Sequence, residues 1–160
     1  MIKTIDCNLL EADVDVIGHC CNCHCTMGAG VAFAIAREYP EAYEADLATK
    51  GDKSKLGKVS LAVVKDPTIH KNQNIKAIAN IYGQNGMGGE RAVNYEAIYR
   101  GLEELKRRVK PNIRSIGLPY KIGSGLAGGD WRLIEKMIEI VFENVAYDII
   151  ICKYEPKSVV

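Results

Sequence analysis

Apolar positions along this chain fall into short runs separated by polar turns, and the spacing within the runs changes from one stretch to the next. Ile2 to Ile5, Val14 to Cys21, Lys58 to Val64, Ile75 to Tyr82, Ile113 to Leu118 and Tyr147 to Lys153 are short and rich in β-branched residues, which predicts six buried strands. Between them the period lengthens. From Val93 the apolar residues Ile98, Leu102, Leu105 and Val109 mark one helix face that stops before Pro111, and Trp131, Ile134, Ile138, Val141 and Val145 do the same for a last helix. Val31 to Tyr39 predicts a helix ending before Pro40, and Pro40 to Lys50 a second with proline in its first turn. Strands alternating with helices in this order predict an α/β domain, a six-stranded, mixed and mostly parallel sheet between helical layers in three layers, α/β/α.

Length and charge narrow the picture. The chain has 160 residues, 48% hydrophobic and 26% charged, enough for one well-buried core, so a single domain over residues 1–155 with a short tail at 156–160 is expected. A net charge of +1 argues against a protein that holds nucleic acid or an anionic membrane through a broad electrostatic field. The densest basic run, Lys106-Arg107-Arg108-Val109-Lys110, falls at a predicted helix end, where cations complement the helix dipole. No stretch is long and apolar enough for a membrane span, and Met1-Ile2-Lys3-Thr4-Ile5-Asp6 lacks a signal-peptide core, so a cytoplasmic protein is expected. Five of the six cysteines crowd positions 7 to 25, a clustering that suits reduced thiols rather than a disulfide framework.

Two glycine-rich turns carry the candidate chemistry: Met27-Gly28-Ala29-Gly30-Val31, and Gly123-Ser124-Gly125-Leu126-Ala127-Gly128-Gly129-Asp130-Trp131. Each follows an apolar strand and opens a helix, leaving backbone N–H groups unpaired where no side chain blocks approach. Such groups bind phosphate oxygens. A pair of them at the carboxyl ends of the strands, without a P-loop lysine, predicts a nucleotide diphosphate held between two loops. The stretch Gly83 to Glu90, with four glycines, reads as a flap beside them, and Lys65 to Asn74 as a surface loop.

The same residues admit other readings. Gly123 to Gly128 satisfies the dinucleotide pattern G-x-G-x-x-G, but only one helix and one strand remain after it, too little for a Rossmann half. Cys20 and Cys23 form a C-x-x-C pair within His19-Cys20-Cys21-Asn22-Cys23-His24-Cys25, with no second pair elsewhere to complete a zinc site, so no metal is expected. A Cys–His nucleophilic pair from that cluster is a further alternative. His19 is either a general acid or base beside the first loop or a core histidine. Asp130 is either the N-cap of the last helix or a group that orients water near the phosphates.

The run Val14-Asp15-Val16-Ile17-Gly18-His19-Cys20 with Met27-Gly28-Ala29-Gly30-Val31-Ala32, then Leu118-Pro119, Ile122-Gly123-Ser124-Gly125-Leu126 and Asp130-Trp131, resembles the macrodomain family over nearly the whole chain, Ile2 to about Tyr154. Within it the sequence is most similar to the branch of terminal ADP-ribose glycohydrolases and ADP-ribose 1''-phosphate phosphatases. The resemblance implies ADP-ribose at the top of the sheet, with no cofactor. Gly28, Ala29, Gly30 and Val31 would flank the diphosphate and distal ribose, and Gly123, Ser124, Gly125, Leu126 and Ala127 would hold the phosphates from the other side. Asn22 would stand by the distal ribose and Tyr154 by the adenine, with Asn8 where the family carries an acidic adenine reader.

The pattern departs from the family at two positions. Glycohydrolases of this branch use a lysine nucleophile in the segment that here reads Ile81-Tyr82-Gly83-Gln84-Asn85-Gly86, and a catalytic aspartate where this chain has Ala127. Gln84 forms no covalent intermediate. The phosphatase members share His19 and a cysteine-rich continuation, so the expected activity is hydrolysis of ADP-ribose 1''-phosphate. His19 would be acid or base, Asp130 would place the water, and Gln84 or Asn85 would touch the distal ribose or leaving group. The alternatives are an ADP-ribose-binding module without turnover, and a hydrolase of an ADP-ribosyl ester or ADP-ribosylated nucleic acid; ADP-ribosylated protein or nucleic acid is then the expected partner.

Overall fold

In the computed structural model, which describes residues 1–86, 93–124 and 128–154, the chain runs β1 (Ile2–Asp6), β2 (Val16–Asn22), α1 (Gly30–Glu38), α2 (Pro40–Leu47), β3 (Val59–Val63), β4 (Ala77–Gln84), α3 (Tyr95–Arg108), β5 (Ser115–Pro119), α4 (Trp131–Val141) and β6 (Asp148–Lys153). Every predicted strand and helix is present, displaced by no more than a few residues at its ends. Short 3₁₀ turns at Leu9–Glu11, Lys53–Lys55 and Pro67–Ile69, which the pattern did not predict, sit in the connections. The expected tail at 156–160 and residues 87–90 of the glycine flap lie outside the described residues.

The strands form one sheet in the order β1-β6-β5-β2-β4-β3. Only the β3–β4 pair is antiparallel, and the other neighbours are parallel. Alternation along each strand sends successive side chains to opposite faces, so the sheet carries two cores. Val16, Ala79, Ile81, Ile116 and Ile149 pack on one face with Ile98, Leu102, Leu105, Ile134 and Ile138 of α3 and α4. Ile17, Ile78, Ala62 and Ile150 face the other way, onto Ile35, Tyr39 and Ala42 around α1 and α2. The helical layers thus lie on both faces, and α1 and α4 leave from neighbouring strands toward opposite ones. That divergence opens a crevice at the carboxyl ends of β2 and β5. No helix among the described residues is long and apolar enough to cross a membrane.

The opposite ends of the same strands are tied by charge. Asp15, just before β2, accepts the Arg114 backbone N–H at 2.7 Å and its guanidinium at 2.9 and 3.2 Å, and Lys76 approaches to 3.6 Å. Arg114 and Lys76 precede β5 and β4, so one carboxylate aligns the starts of three adjacent strands. Burial raises the Asp15 pKa, but the bonds and charges of Arg114 and the charge of Lys76 outweigh it and hold the pKa below the ordinary 3.8.

A folded-state pKa below the unfolded one gives stability that is fully present above about pH 4 and is lost as the pH falls through the folded value. Asp15→Asn is therefore expected to cost about 2 kcal/mol at pH 7, the scale of charged hydrogen bonds, and to flatten the stability loss below pH 4, as read by urea unfolding at several pH values.

Candidate functional site

The crevice is a cleft of about 430 Å³ lined by the end of β2 (His19 to Asn22), Thr26, the first glycine turn (Gly28 to Ala32), Gln84, and Pro119 to Gly123. Both predicted loops meet here. Ala29, the N-cap of α1, contributes no side-chain hydrogen bond, so the first-turn amides of Gly30, Val31 and Ala32 are left for a ligand. Gly30 takes φ +59, which glycine adopts without strain, and a Cβ placed on Gly28 or Gly30 would meet nothing within 4 Å. These glycines therefore open the helix end to the cleft, where its dipole favours an anion. Across the cleft Gly123 sits at φ +72, and the buried Ser124 Oγ has no hydrogen-bond partner among the described residues. Gly125, Leu126 and Ala127 lie outside the described residues.

His19 lines the cleft wall but belongs to the core. It is 1% exposed, and its Nε2 lies 2.6 Å from Asn80 Oδ1. Asn80 donates from Nδ2 to Ala42 O and Ser60 Oγ, so its Oδ1 must accept and His19 carries its proton on Nε2. The chain of bonds continues from Ser60 to Tyr82 OH at 2.8 Å, and from Tyr82 to Asp46 Oδ1 at 2.8 Å. The ammonium of Lys55, buried like Asp46, closes it with bonds to Asp46 Oδ1 at 3.0 Å and Thr49 Oγ1 at 2.7 Å and a 3.4 Å approach to Cys25 Sγ. Burial lowers the His19 pKa to about 4, against the smaller opposing pull of Asn80 and Asp46. Burial and the bond to Asn80 favour a neutral imidazole, which supports the core reading of His19 over the acid–base one.

The other side chains are equally committed. Asn22 lines the cleft, yet its Oδ1 accepts from His24 N at 2.8 Å and its Nδ2 donates to Thr26 O and Oγ1. It shapes the turn that leads to Gly28. Gln84 also lines the cleft, with Nε2 bonded to Gly86 O at 3.0 Å and Oε1 facing the Cys20 thiol at 3.6 Å. Asn85 is absent from the lining, and its buried Oδ1 is unpartnered among the described residues. Asp130 is the N-cap of α4, accepting from Arg132 N at 3.0 Å, and Arg132 holds its carboxylate at 3.0 and 3.2 Å. It is not among the described residues that line the cleft, and these bonds support the capping reading.

Burial acts on Cys20 and Cys21 in the same way. Cys21 Sγ rests 3.5 Å from His19 Nδ1, but burial raises the Cys21 thiol and pushes Cys20 up to about 12, so no thiolate–imidazolium pair forms. Among the described residues no three His, Cys, Asp or Glu side chains converge on a metal position.

A second recess of about 430 Å³ is lined by Asp6, Cys7, Asn8, Glu11, Lys153 and Tyr154. It brings together Asn8 and Tyr154, the two residues expected near adenine from opposite ends of the sequence. Asn8 Oδ1 accepts from Leu10 N at 3.1 Å, which leaves its second lone pair and its amide donors for a ligand. Tyr120 separates the recesses, lining the main cleft while its ring carries the Lys153 ammonium at 5.0 Å. Sequence reasoning missed Tyr120 and Lys121. The signal available was a lysine placed between Leu118-Pro119 and the glycine loop.

Because the unfolded chain protonates His19 near 6.5 and the folded one only near 4, stability should fall as the pH drops from 6.5 toward 4. The His19 ring protons are expected to hold constant NMR shifts between pH 5.5 and 8, and a midpoint near 6.5 would show the imidazole to be open to solvent.

With the geometry in view, comparison with known proteins is direct. A model of the Macro domain family matches residues 19–138. A 17.5 kDa protein of Enterobacteria phage T4, described as uncharacterized, is 33% identical over 154 residues, 92% of this chain and 91% of that protein. A DNA ADP-ribosyl glycohydrolase of Mycobacterium tuberculosis is 29% identical over 140 residues, 86% of this chain but 38% of the relative, so the match covers well under half of that enzyme. Among solved structures, the macrodomain of Mycobacterium tuberculosis DarG superposes with TM-score 0.77 at 25% identity, covering 98% of this chain and 99% of that one. Thermosipho africanus DarTG in complex with ADP-ribose gives TM-score 0.78 at 14% identity over 99% of this chain and 43% of that one, a likeness of fold. The paired glycine loops, the strand order and these matches place the chain in the Macro domain family.

Proposed function

We propose that this protein binds ADP-ribose across the cleft and hydrolyses the bond between its distal ribose and a leaving group, the substrate being an ADP-ribosylated nucleic acid. The observation that carries the binding half is the uncapped start of α1, with Gly28 and Gly30 facing open space inside the cleft. The diphosphate would lie between those amides and the loop at Gly123 and Ser124, and the adenine would enter the recess of Asn8 and Tyr154.

Hydrolysis would add a water oxygen to the anomeric carbon as the glycosidic bond breaks, with the proton passing to the departing base. His19, Asn22 and Gln84 of the cleft spend their hydrogen bonds within the protein. What the chain supplies is position: main-chain donors fix the diphosphate and thereby the distal ribose, and such placement alone contributes several kcal/mol to a barrier. Nucleic acid is favoured as the carrier because the mycobacterial relative, matched over 86% of this chain, is named a DNA ADP-ribosyl glycohydrolase. Release of phosphate from ADP-ribose 1''-phosphate rested on an available His19, and that support is withdrawn by its burial and its bond to Asn80. The commitment of Gln84 and Asp130 to internal bonds favours a second reading, an ADP-ribose-binding module without turnover.

Calorimetry with ADP-ribose, followed by incubation with ADP-ribosylated single-stranded DNA, ADP-ribosylated protein and ADP-ribose 1''-phosphate, separates these readings. Free ADP-ribose is expected from the DNA. Heat of binding without release from any substrate would select the module, and phosphate release alone would restore the phosphatase. Gly28→Val is expected to fold normally, since its Cβ meets open space, and to weaken ADP-ribose binding by at least about tenfold, the scale of one lost charged hydrogen bond.

A further inference from the structure

Among the described residues that line the main cleft, Lys121 is the one lysine, and there is no arginine, aspartate or glutamate. Its backbone is unusual. Ile122 N donates to Pro119 O at 3.0 Å, closing a turn whose third residue is Lys121 at φ +60, while Tyr120 keeps a negative φ. That is a type II turn, in which the third position favours glycine or asparagine because a side chain is strained there. A lysine stands where the local rule asks for glycine, and such violations concentrate where a side chain is needed for function.

A second observation concerns its neighbours. The Lys121 ammonium lies 5.5 Å from the Tyr120 ring centroid and that of Lys153 lies 5.0 Å from it, so two cations converge on one ring between the two recesses. Lys121 makes no ion pair with a carboxylate among the described residues. Cations sharing a ring repel each other, and an anion placed beside them relieves the repulsion.

We infer that Lys121 is an affinity- and specificity-determining contact for the ligand's diphosphate, held in a strained turn so that its ammonium meets the phosphate segment passing Tyr120. The inference rests on the ADP-ribose reading above and adds the charge that main-chain amides alone lack. It predicts selection for a phosphorylated ligand over an uncharged nucleoside through this one side chain.

The test compares wild type, Lys121→Gly and Lys121→Arg by calorimetry with ADP-ribose and with adenosine at low and high salt, together with thermal unfolding. Lys121→Gly keeps the turn and removes the charge. It is expected to melt at a higher temperature than wild type, because the strain is relieved, and to bind ADP-ribose about five- to tenfold more weakly at low salt, with the difference shrinking at about 0.5 M salt. Adenosine affinity should not change, and Lys121→Arg should keep most of the affinity. Equal ADP-ribose affinity in wild type and Lys121→Gly overturns the inference while leaving the ADP-ribose reading intact. Failure of wild type itself to bind ADP-ribose overturns both, and a Lys121→Gly loss that is equal for adenosine and insensitive to salt assigns Lys121 a merely structural role.

Discussion

The register of β2 between β5 and β4 is the constraint on which the rest of the molecule depends. Val16 pairs with Ile116 on one side and Ala77 on the other, and the pairing with β4 continues to the carboxyl end at Asn22 and Gln84. A slip of one residue would turn His19 and Ile17 toward α3 and α4 and expose Val16 to the wrong core. It would also rotate the turn that leads to Gly28. The Asp15 carboxylate, bonded to the residue before β5 and near the one before β4, fixes this register at the strand starts, so the charge cluster at one end of the sheet sets the cleft at the other.

Polar groups buried under α2 do a related task. His19, Asn80, Ser60, Tyr82, Asp46 and Lys55 form one chain of hydrogen bonds, with orientations that follow from one another because each donor finds an acceptor. Breaking one member of such a chain leaves a buried group unsatisfied, which costs more than the bond itself was worth. Lys55 reaches Cys25 and Thr49 as well, so the network ties the segment between β2 and α1 to the end of α2. Of this network only His19 reaches the cleft, so the groups the cleft offers a ligand are mainly backbone ones and those of its rim.

The same division of labour is visible in the polar side chains around the cleft, which spend their hydrogen bonds inside the protein. Asn22 and Gln84 fold the loops that carry the amides, Asp130 starts α4, and His19 anchors the floor. A ligand bound mainly by main-chain donors needs those loops held in one shape, and polar side chains spent on the loops supply that shape.

The sequence by itself determined the elements and their order, because strand and helix periods are local and the punctuating residues Pro40, Pro111 and the glycine turns act on their immediate neighbours. It also placed the two loops at strand ends, where both meet the cleft. What it could not assign was the direction in which a polar side chain spends its hydrogen bonds. Whether His19 faces substrate or Asn80 depends on a partner 61 residues away that only the tertiary fold brings to 2.6 Å. The convergence of Lys121 and Lys153 on Tyr120 and the meeting of Asn8 with Tyr154 were hidden for the same reason, since a distance through space between separate strands leaves no periodic trace along the chain.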